Sequence, residues 1–469
     1  MDGIIILPSA VGKGVAVVAV QSDFSKGSIP MAITRLAVPM TAAQLVNILY
    51  NIVDRMYIGR IPGEGRVALT GLGLVLPIIS IVIGFANLCG TGGAPLCSIC
   101  RGKGEDREAE GIMGNAFTLL LLLGVGLTVL VLAFKRPLLY LFGASDVTFP
   151  YADDYLTVYA LGTVFVMVGL GMNPFINSQG FARIGMLTVA LGAAVNLVLD
   201  PIFIFVLDMG VKGAALATVI SQACSALWVL QFLTGRKTLL RLEWANLRLK
   251  GGRVRQILSL GTSGFVMALT NSLAQIICNA TLQIYGGDLY VGVMTVVNSI
   301  REVITMPVSG VTNGCQPVLG YNYGAGEYER VRQGIRFTTV ATLTYSLVTW
   351  ALTLAFPAAL IHMFNSAAEL VAAGVPAFRI YYAAFFCMGF QFVGQSVFVA
   401  LGRSKNAVFF SLLRKAFIVA PLTLILPVLG LGYNGVFLAE PISNVIGGLA
   451  CLITMYVTVY RPLGTKTDN

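Results

Sequence analysis

The chain has 469 residues, 57% of them hydrophobic and only 11% charged, with a mean hydropathy of +0.82. Water-facing domains carry about 25% charged residues, so a soluble globular fold is excluded; the formal net charge of +10 sits in short connectors between apolar runs and is not a nucleic-acid footprint. Apolar runs of about 20 residues, rather than alternating segments of about 10, exclude an outer-membrane barrel and predict helices that cross a bilayer.

Taken in chain order, residues 4–20 are apolar but split by Lys13 and Gly14. Nothing basic precedes them and no small-residue cleavage site is clean, so residues 1–30 read as an N-terminal extension rather than a secretory signal. Twelve spans follow, at 33–58, 67–92, 112–134, 153–177, 185–206, 213–233, 256–285, 289–315, 337–356, 380–401, 407–429 and 434–459. The longest polar connector, 235–255, divides them six and six. The expected architecture is an all-α integral membrane protein: an N-terminal six-helix lobe (31–234), a cytoplasmic inter-lobe connector (235–255), a C-terminal six-helix lobe (256–460) and a cytoplasmic tail (461–469). With both termini inside, 20 Lys and Arg residues fall in inner segments and 6 in outer ones, which by the positive-inside rule favours cytoplasmic termini and a multi-pass protein of the inner (plasma) membrane.

The chain repeats itself. Gly210-Val-Lys-Gly-Ala-Ala-Leu-Ala-Thr-Val-Ile-Ser221 aligns with Gly432-Tyr-Asn-Gly-Val-Phe-Leu-Ala-Glu-Pro-Ile-Ser443 at an offset of 222, and the same offset sets Gly102, Gly104 and Glu105 on Gly324, Gly326 and Glu327. Two halves of six spans enter the membrane in the same sense, so they are expected to be related by a pseudo-two-fold along the membrane normal, the parallel-repeat transporter plan.

Polar residues inside the spans mark where chemistry is expected. Gln44, Asn47, Asn51 and Asp54 are spaced 3, 4 and 3 apart, one face of an otherwise apolar helix. At an offset of 224, Asn47 and Asn51 fall on Asn271 and Gln275, while Asp54 falls on Cys278. In the fifth span Asn196 and Asp200 share a face, and Pro201 cannot donate to the carbonyl of Leu197; Thr218 in the sixth adds a hydroxyl. An ionisable group in hydrocarbon costs roughly 3 kcal/mol at a helix centre, so it is rarely there without a function. Singly, each also fits a plainer reading: Asp54 beside Arg55 as an interfacial group, Asp-Pro at 200–201 as a helix end. Arg301, Glu302 and Glu440 fit either a structural ion pair or a substrate site; adjacent Arg301 and Glu302 cannot face the same way. The eight cysteines and single His362 offer no zinc or redox motif, and no nucleotide-binding loop is present.

With these residues in hand, the chain resembles the multidrug and toxic compound extrusion (MATE) family, in its MepA-like or DinF-like bacterial branch. The resemblance covers about residues 27–460 and rests on Gly27-Ser-Ile-Pro30, Leu49-Tyr-Asn-Ile-Val-Asp-Arg-Met-Tyr-Ile-Gly59, Asn196-Leu-Val-Leu-Asp-Pro-Ile-Phe203, the 210–218 stretch and Gln316-Pro-Val-Leu-Gly-Tyr-Asn-Tyr-Gly-Ala325. It implies that Asp54, Asn196, Asp200 and Thr218 form a cation-coupling site for H+ or Na+, with no other metal and no cofactor, and that Pro39 is linked to bending of the first helix. Another branch of the family places a carboxylate in the seventh span, where this chain has Asn271. The expected function is a secondary active multidrug exporter, not an enzyme, working as a monomer in the lipid bilayer by cation-coupled antiport of small amphipathic, often cationic molecules, with no nucleic-acid partner. Gln44, Asn47, Asn51, Asn271, Gln275, Arg301, Glu302 and Glu440 are the expected cavity residues. The rival is a flippase for a lipid-linked precursor, which would need several cationic groups in its cavity; within spans Arg55 and Arg301 stand out, with Arg35, Arg414 and Lys415 read as lying at cytoplasmic ends.

Overall fold

The computed structural model describes residues 4–6, 18–20, 22–364 and 367–465; most of the expected N-terminal extension and residues 466–469 of the expected tail lie outside the described residues. A pair of three-residue strands, β1 (Ile4–Ile6) and β2 (Val18–Val20), pairs antiparallel with Ile4 opposite Val20. The rest of the regular structure is helical. The N-terminal half contains α1 (Ile29–Gly59), α2 (Gly65–Gly102), α3 (Asp106–Leu141), α4 (Phe149–Leu161), α5 (Thr163–Ser178), α6 (Ala182–Pro201) and α7 (Gly210–Thr234). Then come α8 (Gly251–Gly324), α9 (Tyr328–Ala355), α10 (Pro357–His362), α11 (Ala368–Tyr382), α12 (Met388–Ala400), α13 (Ser404–Leu412), α14 (Ala420–Leu426), α15 (Gly432–Met455) and α16 (Arg461–Thr465).

Among the described residues, 8 continuous helical stretches are long and apolar enough to cross a membrane, and two bent pairs raise the number to 10. Two of those stretches are themselves double. The 74-residue α8 breaks at Gly287 (φ 65°, ψ −168°), a conformation essentially reserved for glycine, and the stretch 404–465 breaks at Gly430 (φ 97°). Twelve spans result, and the chain is a multi-pass membrane protein. The span expected as continuous at 153–177 is instead α4 and α5 set at 58°. Gly162 sits at the bend, where a Cβ would collide with the side chain of Val219.

By their contacts the described helices form two units. The first comprises Pro39–Gly261 and packs around Leu72, Val75, Ile112, Met113 and Phe175. The second begins at Thr262, with a core that includes Val297, Phe378, Tyr382 and Phe437. Phe24–Val38 belongs to the second unit: the Phe24 ring meets Tyr321 at 5.9 Å, and its carbonyl accepts hydrogen bonds from Asn322 Nδ2 (3.2 Å) and Arg330 Nη2 (3.0 Å). The division therefore falls inside α1, at buried Pro39, where the imino ring interrupts the helical ladder.

The polar connector after α7 is fastened to the first unit. Gln179, fully buried, accepts with Oε1 from Thr238 Oγ1 (2.7 Å) and from the backbone N–H groups of Leu239 (2.8 Å) and Leu240 (2.9 Å). Asn115, also buried, donates to the carbonyls of Asn246 and Arg248 and accepts from the N–H of Lys250 at 2.7 Å. Arg253 Nη2 closes the connector on Glu108 Oε2 at 2.6 Å. Backbone that has left its helix is here satisfied by buried side-chain amides.

Candidate functional site

In the first unit the i, i+4 spacing of Asn196 and Asp200 on α6 brings the two side chains together: Asn196 Nδ2 donates to Asp200 Oδ1 at 3.1 Å, and both are essentially inaccessible. A π-helical turn, 202–206, follows Pro201 directly. Such turns are rare and collect at functional sites. Asp54 on α1 is also buried, and its carboxyl lies within interaction range of Asp200. Asp54 Oδ1 and Asp200 Oδ2 are buried acceptors without a hydrogen-bond partner. Thr218 on α7 is half-buried and reaches the Asp54 neighbourhood through Tyr155, whose hydroxyl interacts with it. Tyr50, one turn before Asp54, faces both carboxylates and touches Gln222. Two buried carboxylates with orphaned oxygens form an arrangement that one positive charge would complete.

The amide stripe of α1 divides. Gln44 and Asn51 are half-buried while Asn47 is exposed, and Asn51 Nδ2 donates back to the Asn47 carbonyl at 2.7 Å. Its counterparts on α8, Asn271 and Gln275, line a pocket in the second unit together with Asn298, Arg301, Tyr381 and Glu440. Glu302 is exposed and does not line this pocket, in keeping with its adjacency to Arg301.

Glu440 on α15 is the centre of a charge cluster that sequence reasoning saw only in part. Its Oε1 accepts from Arg414 Nη2 at 2.9 Å and Lys415 Nζ at 3.0 Å, its Oε2 from Lys415 Nζ at 2.8 Å, and Arg301 Nη1 stands 3.8 Å from Oε1. Arg414 and Lys415 are both more than nine-tenths buried. They lie on a π-helical segment, 413–419, whose wider turn lets two consecutive side chains reach one carboxylate. The signal in the sequence was their position inside an apolar run.

Two six-helix units, each burying ionisable groups among apolar helices, define a polytopic helical membrane protein. The chain belongs to the MatE family, whose model matches twice, over residues 39–202 and 264–425, the second match beginning 225 residues after the first, in line with the internal repeat. Among similar proteins are the Multidrug export protein MepA of Staphylococcus haemolyticus, 23% identical over 92% of this chain and 94% of that protein, and the MepA of Staphylococcus aureus (strain NCTC 8325), 22% identical over 92% and 95%. Among solved structures, a MATE protein in the bent conformation matches with a TM-score of 0.89 at 23% identity, covering 95% of this chain and 98% of that one. An outward-facing multidrug resistance MATE family transporter matches at 0.87 and 23%, covering 96% and 99%.

Proposed function

We propose that the protein is a secondary active exporter that expels small amphipathic compounds in exchange for an inward-moving cation, H+ or Na+, by alternating access. The observation that carries this reading is the pair Asp54 and Asp200 with Asn196: two buried carboxylates with unpartnered oxygens on neighbouring helices. Such a pair needs a positive charge, supplied by a proton or by a sodium ion with carboxylate, amide and hydroxyl oxygens as ligands. Loading or releasing that charge changes what the surrounding helices must accommodate, among them α6 with Pro201 and its π-helical turn. Exchange follows if the cation and the substrate favour different access states, since a ligand indifferent to the two states shifts nothing. Membership of the MatE family and likeness to proteins named multidrug export proteins support the export assignment.

The test is efflux of two amphipathic dyes, cationic ethidium and anionic fluorescein, from proteoliposomes under an imposed proton gradient and, separately, a sodium gradient. Acceleration by one gradient and not by an equal potassium gradient is the expected result. Equal rates under all three overturn cation coupling.

A further inference from the structure

The pocket of the second unit has the opposite polarity to the carboxylate site of the first. Arg301 and Lys415 line it against the single carboxylate of Glu440, and Arg414, outside the lining, shares that carboxylate from behind. Glu440 is already committed: three hydrogen bonds from Arg414 and Lys415 occupy both oxygens. Arg301 is left 3.8 Å away, beyond hydrogen-bond distance, its side chain one-quarter exposed toward the pocket. A guanidinium is a planar fork suited to two-point binding of a carboxylate or phosphate. Its neighbours are neutral: Asn271, Gln275, Asn298 and Tyr381, whose hydroxyl contacts Asn298 Oδ1 at 3.5 Å. The cavity between these walls is small, about 30 Å³, and partly open to solvent, so it admits a small oxyanion group while the organic body that carries the group extends outside. Excess positive charge removed from water is costly without a counter-charge, and nothing in the pocket wall besides Glu440 supplies one.

We propose that this pocket seats an anionic group, carboxylate or phosphate, of the transported molecule, gripped by Arg301 with Lys415 as the second cation. The substrate class is thereby narrowed from amphipathic cations to amphipathic molecules that carry a negative oxygen group. This rests on the export reading for the word "transported", whereas the binding it describes does not depend on any ion gradient.

The experiment is equilibrium binding to the purified full-length protein in neutral detergent, with no gradient, using two xanthene dyes of similar size: anionic fluorescein and cationic rhodamine 6G. Fluorescein is expected to bind at least tenfold more tightly than rhodamine 6G, Arg301→Gln to weaken fluorescein at least tenfold, and Arg301→Lys, which keeps the charge and loses the fork, to weaken it less than Arg301→Gln. Equal or tighter binding of rhodamine 6G to the unmodified protein overturns the proposal, even if Arg301→Gln does not fold. Unchanged fluorescein affinity in a folded Arg301→Gln does the same. Competition identifies the source of the group: displacement by 4-phenylbutyrate points to a soluble organic anion, displacement by dihexanoyl phosphatidate to a lipid head group, and displacement by neither overturns the proposal. Gradient-driven rhodamine 6G efflux without fluorescein binding would sink this inference and leave the exporter standing.

Discussion

Asp200 combines complete burial with an oxygen that nothing satisfies. Asp200→Asn keeps the shape and removes the charge, so the variant is expected to insert and to bind dye normally while gradient-driven efflux falls at least tenfold at matched expression; wild-type efflux from it would move the coupling site elsewhere. Glu440 poses the opposite problem, because its removal leaves the buried Arg414 and Lys415 without their carboxylate. Breaking one partner of a buried ionic cluster costs ~3–5 kcal/mol. Glu440→Gln should therefore lower the midpoint of thermal unfolding, followed by fluorescence-detected size exclusion, far more than Glu302→Gln, since Glu302 is exposed. An equal effect of the two substitutions would contradict the cluster's geometry. The pairing of Asn196 with Asp200 was legible in the sequence because four residues make one helical turn. The meeting of Arg414 and Lys415 with Glu440 was not, because it joins different helices and depends on a π-helical turn that no local pattern announces.

Elements followed the apolar runs closely, yet their bends and breaks were legible unevenly. Gly286-Gly287-Asp288 between two apolar runs marks the break in α8, and Gly430 with Gly432 marks the start of α15. The 58° bend between α4 and α5 falls at Gly162, packed against Val219, a contact 57 residues away that chain-local reasoning does not see. The connector 235–255 shows the same limit: its polarity reads as a loose loop, whereas Gln179 and Asn115 hold its backbone. Gln179→Ala removes three hydrogen bonds from that backbone and its Thr238 side chain, at about 1 kcal/mol each. The expected result is several-fold faster tryptic cleavage at Arg236, Lys237 or Arg241, read by mass spectrometry, with the rest of the digest unchanged. Identical cleavage kinetics would show that the connector is held by other means.

At the scale of the whole molecule, the duplication visible in the sequence is matched by two hits of one family model and by two six-helix units. The copies have diverged where charge is concerned: where the first half carries Asp54 and Asp200, the second carries Cys278 and Leu422, and its ionic groups come from other positions. The proposed orientation follows from the asymmetry of basic residues, 20 against 6. A cysteine placed near exposed Lys250 should be shielded from an impermeant thiol reagent outside intact cells, and one near exposed Asp288 should react; the reverse pattern would invert the topology.

The net positive charge of the second-unit pocket also has an electrical meaning. Under the proposed exchange, one monoanion leaving while one monovalent cation enters moves two elementary charges in the same electrical sense, whereas a monocation leaving against a monovalent cation moves none. Each charge is worth about 2.3 kcal/mol per 100 mV, so an inside-negative membrane voltage pushes anion export twice over. Clamping the voltage to zero with potassium and valinomycin, at constant ion gradient, is expected to slow fluorescein efflux; an unchanged rate would show that the exchange moves no net charge. Three cations clustered around one carboxylate would then make the cell's voltage a direct power supply for this transporter.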